Sequence, residues 1–257
     1  MLRKTPEPNS VALHPGQFYI ASAFVTIFAT ALFWVGYNCQ WDHLYASFPY
    51  HRLQVEALLN GHLSLGSSIE RIEHGLVWYN GHLQQVWGLG VALWMVPFEL
   101  VWRLFGTSPC PDRVPLLVAI AMVAWYASRG GFAIARILKS NIAGIVFIYS
   151  VVLFPPLWNL IRGRQSQSIF EETVLYACLV SIALLIAVVR FLLLRRRLDF
   201  WLVCVLAGFS GLVRVTHGVY GMTAGLICGW ILLRSAICAQ GSMKRNYNWR
   251  RIAELLS

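Results

Sequence analysis

Four ionisable residues stand at the ends of long apolar segments. Glu171 and Glu172 open an apolar segment that runs to Leu194, and Arg214 and His217 close the next one, in LVRVTHG. A charge that enters a lipid bilayer needs a partner or a wet cavity. The pattern predicts a polar site in which Arg214 holds a phosphate or pairs with one of the glutamates. The alternative is that all four groups lie at the membrane interface and have no chemical role.

A polar stretch earlier in the chain, 38–85, carries carboxylates that could act as a general base. Asp42 follows the first apolar segment directly, and Glu56 lies on a stretch with helical spacing. A base just outside a membrane span can reach a substrate that is anchored in the lipid. A later short connection, 160–167, adds Arg164 as a candidate substrate-binding cation.

Histidine and cysteine spacing predicts no metal site and no disulfide framework. Five of the seven histidines lie in the polar stretch, 8 to 12 residues apart, which is not the i, i+4 spacing of a helical metal site. The six cysteines form no CxxC pair. The chain also has no Gly-rich nucleotide loop, GxSxG or DxD motif. We therefore expect no cofactor and no divalent metal.

Composition identifies the class of protein. The 257 residues are 58% hydrophobic and 12% charged, with a mean hydropathy of +0.59, whereas soluble domains carry about 25% charged residues. A soluble chain of this size could not bury so much apolar surface. The net charge of +10 comes largely from short basic runs beside apolar segments, which indicates membrane topology and not nucleic-acid binding. We expect an all-α, polytopic transmembrane helical bundle.

The apolar segments predict about six net crossings, made by six or seven apolar helices. The region 114–161 is interrupted by Arg129-Gly130-Gly131, so one net crossing is expected there, with Val114 to Ser128 short, tilted or re-entrant. That choice keeps Arg195 to Arg197 on the cytoplasmic side, where basic flanks accumulate. The predicted spans are 18–36, 86–105, one net crossing within 114–161, 168–194, 200–215 and 218–233.

The chain is predicted to be a single transmembrane domain, 1–257, of the cell's inner or plasma membrane. Cytoplasmic tails are expected at 1–16 and 239–257, and an acidic outer loop at 38–85. The first apolar segment is expected to be an uncleaved anchor. Within the outer loop, 44–65 has helical spacing and predicts a helix on the membrane surface. Its predicted apolar face comprises Leu53, Ala57, Leu58 and Leu63.

Four short motifs resemble bacterial GT-C-type membrane glycosyltransferases, the polyprenyl-phosphate-sugar-dependent enzymes that include protein mannosyltransferase-like members. They are VEALLNGHLSL and VWYNGHLQQVWGLGVALWMVPFEL in the first loop and second span, IFEETV at the start of a later span, and LAGFSGLVRVTHG. The resemblance implies that a sugar is moved from a polyprenyl-phosphate donor to an acceptor at the outer face. It also implies the site residues: Asp42 as general base, Glu171 or Glu172 as supporting acid, and Arg214 as phosphate clamp, with His217, Arg164 and Glu56 as further substrate-binding residues.

The chain departs from that family in two motifs and in length. His74-Gly75 stands where His-Asp is frequent, and Val215 stands where Arg-Pro-Thr has its proline. Such enzymes are also usually longer, so a truncated or inactive copy is an alternative. The expected partners are membrane lipid, the lipid-linked sugar donor and an unknown acceptor. The competing hypotheses are a non-catalytic membrane protein of the same ancestry and a transporter.

Overall fold

The structure, a computed structural model, is mostly helical. It describes residues 15–36, 44–45, 49–65, 76–86, 88–106, 109–138, 140–153, 169–194 and 196–242. In these ranges the helices are α1 (Pro15–Gly36), α2 (Tyr50–Leu59), α3 (Gly90–Arg103), α4 (Arg113–Ile137), α5 (Asn141–Ile148, continued by a π-helical turn, Tyr149–Leu153), α6 (Ile169–Leu194), α7 (Arg197–Val213) and α8 (Val215–Ser242). Strands β1 (Leu76–Tyr79) and β2 (His82–Gln85) form a hairpin.

Three of the described helices are long and apolar enough to cross a membrane. The qualifying segments are Arg113–Ala135 of α4, Glu172–Leu193 of α6 and Val215–Arg234 of α8. Shorter apolar helices run over Tyr19–Val35 and Asn141–Leu153. The helical class is therefore confirmed, although the hairpin shows that the chain is not purely α.

Helices α4 and α6 run parallel. Leu116 and Ile120 share one buried cluster with the first turns of α6, and farther along Gly130 approaches Ile186. Between them α5 returns antiparallel to α4. Its Gly144 lies against Gly131, where an added Cβ would be 2.6 Å from the Gly131 carbonyl oxygen. The region 114–161 thus contains one helix long enough to cross a membrane, α4, and the shorter apolar helix α5 beside it, so the expected single net crossing stays a prediction.

Helix α4 also continues through Arg129-Gly130-Gly131, where a break was predicted. A Cβ on Gly131 would lie 2.5 Å from the Ile148 side chain, so the missing side chain makes room for α5. The two glycines are packing positions inside one 25-residue helix.

Helix α1 runs antiparallel to α4 and defines the two ends of the bundle. Tyr19, near its start, stacks on Trp125 with 6.3 Å between ring centroids, whereas Phe33, near its end, shares a buried cluster with Ile120. We call the end where α1 finishes and α4 and α6 begin the loop end. The opposite end, where α6 finishes and Arg196 and Arg197 begin α7, is the arginine end.

Helices α6, α7 and α8 form two consecutive antiparallel hairpins. Phe191 of α6 packs on Phe200 of α7, with ring centroids 5.7 Å apart. Small residues join α7 to α8: a Cβ on Gly221 would lie 2.5 Å from the Ala207 carbonyl oxygen. Such positions let helix backbones approach closely inside a bilayer. The α7–α8 turn at Arg214 lies part-way along α6, because α7 has 17 residues and α6 has 26.

The connection between α1 and α4 covers the loop end. In the β-hairpin, Leu76 pairs with Gln85, and the turn residues Asn80 and Gly81 have φ of 52° and 76°, as expected of an Asn-Gly turn. Leu65, after α2, bridges to Leu83 of the hairpin. The sequence analysis missed this hairpin, although Asn-Gly between apolar residues is its usual signal.

Helix α3 was predicted as a crossing, 86–105, and the structure corrects this. It has 14 residues, about 21 Å, which is shorter than the roughly 30 Å of a hydrocarbon core. Its first residue, Gly90, lies against Val213 beside the α7–α8 turn. Farther along, the Trp94 indole donates to the Pro115 carbonyl in the first turn of α4. The helix therefore packs at the loop end without reaching the arginine end.

Candidate functional site

A buried ion pair joins α2 to the start of α4 at the loop end. The Arg52 Nε lies 3.1 Å from Asp112 Oδ2, and Asp112 is 2% exposed. The Arg52 guanidinium also lies 4.9 Å from the centre of the Tyr45 ring. The backbone N–H of Arg113 donates to the Leu44 carbonyl. The polar segment after α1 is thus fixed to the bundle by charge and by backbone contacts.

A second contact joins α2 to the start of α6. The His51 Nε2 lies 3.1 Å from Thr173 Oγ1, and both side chains are buried. Burial lowers the pKa of His51 from 6.5 to about 4, so the ring is neutral near pH 7. Its Nδ1 has no hydrogen-bond partner among the described residues.

Glu172 and Tyr176 lie one turn apart on the same face of α6. Glu172 is 3% exposed, and its charged neighbours are Asp112, Arg113 and Arg52. Within the described residues, neither Glu172 Oε1 nor the Tyr176 hydroxyl has a hydrogen-bond partner. Buried polar atoms normally find partners, so these two atoms can receive a water molecule or a polar ligand group.

We call this set of side chains the loop-end cluster. It has two guanidinium groups and two carboxyl groups at its centre, with neutral hydrogen-bonding groups around them. Its members are His51, Arg52, Asp112, Arg113, Glu172, Thr173 and Tyr176.

A second polar network lies beside the cluster. Arg103 donates from Nε to Glu99 Oε1 at 2.9 Å and also pairs with Glu56 of α2. The other oxygen of Glu99 accepts the Cys110 backbone N–H at 2.7 Å. Burial, with the nearby Glu99 and Asp112 charges, raises the pKa of the Cys110 thiol to about 11. Cys110 therefore remains a neutral thiol and is not an activated nucleophile.

An open groove lies at the surface of this network. It has a volume of about 580 Å³ and combines charged groups with apolar faces. It is lined by Pro49, Arg52, Leu53, Glu56, Arg103 and Pro109.

An apolar slot of about 510 Å³ lies between α4, α6 and α7, with Trp94 of α3 among its lining residues. Tyr176 lines the slot and belongs to the loop-end cluster as well. Farther from the loop end, the slot is lined by Ala183 of α6 and Tyr126 of α4. It therefore borders the loop-end cluster at Tyr176 and runs from there into the apolar body of the bundle.

The arginine end has its own buried ion pair. Arg190 Nε lies 3.0 Å from Asp199 Oδ1, and Asp199 is 1% exposed. The Arg190 guanidinium also lies 4.8 Å from the centre of the Tyr126 ring. This pair links α4, α6 and α7 where α6 turns into α7.

Arg214 was predicted to hold a phosphate or to pair with Glu171 or Glu172. Among the described contacts none joins it to Glu172, and the Glu171 side chain is not described. His217 Nδ1 lies 2.6 Å from Ser181 Oγ. Arg214 is the charged neighbour of Cys178, another residue of α6. Ser181 lies nine residues beyond Glu172, so it is about 14 Å farther along α6 and roughly 180° around the helix. The structure therefore divides the predicted site: Glu172 belongs to the loop-end cluster, and the Arg214–His217 pair lies on the opposite face of α6.

The remaining predicted site residues have different outcomes. Asp42 and Arg164 lie outside the described residues. Glu171 lies in α6, but its side chain is not among those described. Glu56 is exposed and paired with Arg103. Of the predicted membrane-surface face, Leu53 and Leu63 are exposed, whereas α2 buries Tyr50, His51, Gln54 and Val55. That face stays a prediction.

The sequence analysis missed the residues that complete the loop-end cluster. Asp112 and Arg113 precede a long apolar run, which suggested only a helix start. His51 counted as one of five scattered histidines, and Tyr176 as an ordinary apolar position. Their roles depend on contacts between distant parts of the chain.

Among the described residues, no group of three or more His, Cys, Asp or Glu could hold a metal ion.

No protein-family model matches the chain, and no curated protein and no solved structure matches it.

Proposed function

We propose that the protein is an integral membrane transferase that moves a sugar from a polyprenyl-phosphate donor to an acceptor at the loop end. The observation that supports this most strongly is the connection between the apolar slot and the loop-end cluster through Tyr176. A polyprenyl phosphate has the matching arrangement, an apolar chain that ends in a charged group. The resemblance to GT-C-type enzymes supplies the reaction.

The slot suits the isoprenoid chain. Its walls are aliphatic and aromatic side chains, including Met122, Leu179 and Phe209. A chain that enters it exchanges lipid contacts for close packing against these side chains. Its phosphate then lies toward Tyr176, at the edge of the charged cluster.

The cluster suits the phosphate and the proton transfer. Arg52 and Arg113 bring two guanidinium groups to the cluster, and guanidinium N–H donors match phosphate oxygens in geometry and charge. In sugar transfer the bond between the anomeric carbon and the phosphate oxygen breaks as the acceptor oxygen bonds to that carbon. The acceptor proton passes to a carboxylate, and polyprenyl phosphate leaves with the bonding electrons. Arg52 and Arg113 stabilise the charge that develops on this phosphate.

Two carboxylates compete for the role of base. Asp42 is the base that the resemblance implies. Glu172 is the alternative from the described residues, because its Oε1 is not hydrogen-bonded within them. Glu171 and Arg164 remain supporting residues of the proposal. Arg214 and His217 lie on the other face of α6, apart from this cluster, so their substrate-binding role stays a prediction.

The proposal includes a membrane topology. We assign five crossings to α1, α4, α6, α7 and α8, and a sixth to the return from α4 to α6 that α5 begins. The loop end then faces outward from the plasma membrane, and both chain termini are cytoplasmic. This orientation places the exposed Arg196 and Arg197 on the cytoplasmic side.

Binding of polyprenyl phosphate tests this function without knowledge of the sugar. Native mass spectrometry of the full chain should show stronger binding of polyprenyl phosphate than of polyprenol of equal length. Ala183→Trp fills the slot and should weaken binding of both lipids. Arg113→Gln should reduce the preference for the phosphate. Leu226→Trp, on an exposed face of α8, is the matched control. Equal binding of the two lipids by the wild-type protein would refute the proposal.

A non-catalytic membrane protein is the second candidate function. The observation in its favour is that Arg52–Asp112 and His51–Thr173 already fix α2 to the starts of α4 and α6, which is a structural role. A radiolabelled polyprenyl-phosphate sugar separates the two candidates. Release of polyprenyl phosphate that Glu172→Gln or Asp42→Asn abolishes indicates an enzyme, and binding without release indicates the second candidate.

A further inference from the structure

The groove beside the loop-end cluster is an open concave surface with charged side chains in its wall. Its volume, about 580 Å³, lies within the roughly 300–1,000 Å³ of small-ligand sites. Arg52 belongs both to the groove and to the loop-end cluster. A ligand in the groove would therefore lie next to the proposed site of sugar transfer.

The two arginines of the groove are held in place by groups behind them. Arg103 is paired with Glu99, which is buried and bound to the Cys110 backbone N–H. Arg52 is paired with buried Asp112. Side chains that are already fixed lose little conformational entropy when a ligand binds. The groove is thus organised before any ligand arrives.

The charges of the groove do not suit an anion. The two guanidinium groups are matched by three carboxylates, those of Glu56, Glu99 and Asp112. The exposed fractions of the Glu56 and Arg103 side chains are 54% and 39%. The groove therefore presents a strong acceptor and a strong donor side by side with no excess of positive charge.

This pattern suits a ligand with neighbouring hydroxyl groups. One hydroxyl can donate to the Glu56 carboxylate while the next accepts from Arg103, and hydrogen bonds to charged groups are the stronger ones. Leu53, Pro49 and Pro109 provide apolar surface between these groups. A sugar ring has apolar C–H faces and polar edges, so it matches both components.

We propose that this groove binds a neutral saccharide, the acceptor of the sugar transfer. The inference rests on the proposed function, because it assigns an acceptor to the same end of the molecule. It goes beyond that function in naming the class of acceptor and the residues that bind it.

Saturation-transfer NMR of the full chain in a sugar-free detergent tests the inference. The probes are maltose, cellobiose and chitobiose, and at least one should receive saturation. Glu56→Gln should weaken its binding by about tenfold, the value of one hydrogen bond to a charged group. His62→Ala is the control, because His62 is exposed after α2 and does not line the groove.

A second variant keeps the test valid if Glu56→Gln disturbs folding. Leu53→Trp fills the groove from an exposed position, leaves every ion pair intact, and should abolish saccharide binding. The inference fails if no disaccharide receives saturation or if the groove variants bind like the wild type. It also fails if inorganic phosphate displaces the disaccharide.

Polyprenyl phosphate binding, measured on the same samples, separates the two proposals. Lipid binding without saccharide binding refutes the acceptor groove alone. Saccharide binding without lipid binding refutes the proposed donor.

Discussion

The two ends of the bundle carry the same interaction in different surroundings. Each has a buried arginine–aspartate pair, Arg52–Asp112 at 3.1 Å and Arg190–Asp199 at 3.0 Å. At the arginine end the pair joins the last turns of α6 to the first turn of α7, and the Tyr126 ring lies against the Arg190 guanidinium. At the loop end the pair adjoins an open groove. Both ends keep buried polar atoms without a hydrogen-bond partner within the described residues, Glu172 Oε1 and the Tyr176 hydroxyl at the loop end, Asp199 Oδ2 and the Tyr126 hydroxyl at the arginine end, so the groove is what distinguishes the loop end.

Similar ion pairs therefore have different roles at the two ends of the bundle. A buried pair that joins consecutive helices fixes their geometry, because neither charge can be left alone in an apolar surrounding. A pair of the same length at a surface groove fixes an arginine in the wall that a ligand would contact. We expect removal of the first to change stability alone, and removal of the second to change binding as well.

The largest effect is expected from breaking the pair at the arginine end. Arg190→Leu leaves Asp199 buried and unpaired, and the expected loss of stability is about 3–5 kcal/mol. Thermal melting in detergent measures it. The double variant Arg190→Leu/Asp199→Leu should recover part of the loss. A double variant as unstable as the sum of both single variants would show that the pair is not coupled.

Acidification should affect the loop end through His51. The buried ring titrates at about 4 instead of 6.5, so the unfolded chain binds the proton first as pH falls. The contribution of His51 to the free energy of unfolding is fully present above pH 6.5. It declines between pH 6.5 and 4, by about 3 kcal/mol in total. Melting curves across this range measure the decline. His51→Gln should remove that part of the pH dependence, and an unchanged profile would contradict the burial of His51.

A smaller effect on stability is expected from the contact between α3 and the α7–α8 turn. A Cβ on Gly90 would lie 2.6 Å from the Val213 backbone nitrogen, so Gly90→Ala should destabilise by about 1–3 kcal/mol. Gly225 has open space around it, and Gly225→Ala should be neutral or stabilise by up to about 1 kcal/mol. Equal melting temperatures for the two variants would contradict this contact.

The long apolar helices could be predicted closely from the sequence. The segments 18–36 and 168–194 correspond to α1 and α6, because an uninterrupted apolar run leaves a helix as the only way to satisfy the backbone. The region 86–105 and the glycines of α4 were misinterpreted for a common reason. Apolar composition does not distinguish a crossing helix from one that packs at an end, or a glycine that breaks a helix from one that admits a neighbour.

The candidate site was predictable only in part. Glu172 was recognised because a carboxylate at the start of an apolar run is unusual. Its neighbours could not be recognised, because His51 meets Thr173 across 122 residues of sequence. The separation of Arg214 from Glu172 has a geometric cause. The rotation of α6 about its own axis decides whether Glu172 or Ser181 faces the α7–α8 turn, and the sequence alone does not fix that rotation.

The central claim is that the loop end receives the charged group of a lipid substrate, and photo-crosslinking tests it most directly. The probe is a polyprenyl phosphate with a diazirine on the isoprene unit next to the phosphate, and the labelled peptides are located by mass spectrometry. We expect labelling around Tyr176 and Trp94, at the loop end of the slot. Labelling confined to the neighbourhood of Arg190 and Arg196, at the arginine end, would contradict it.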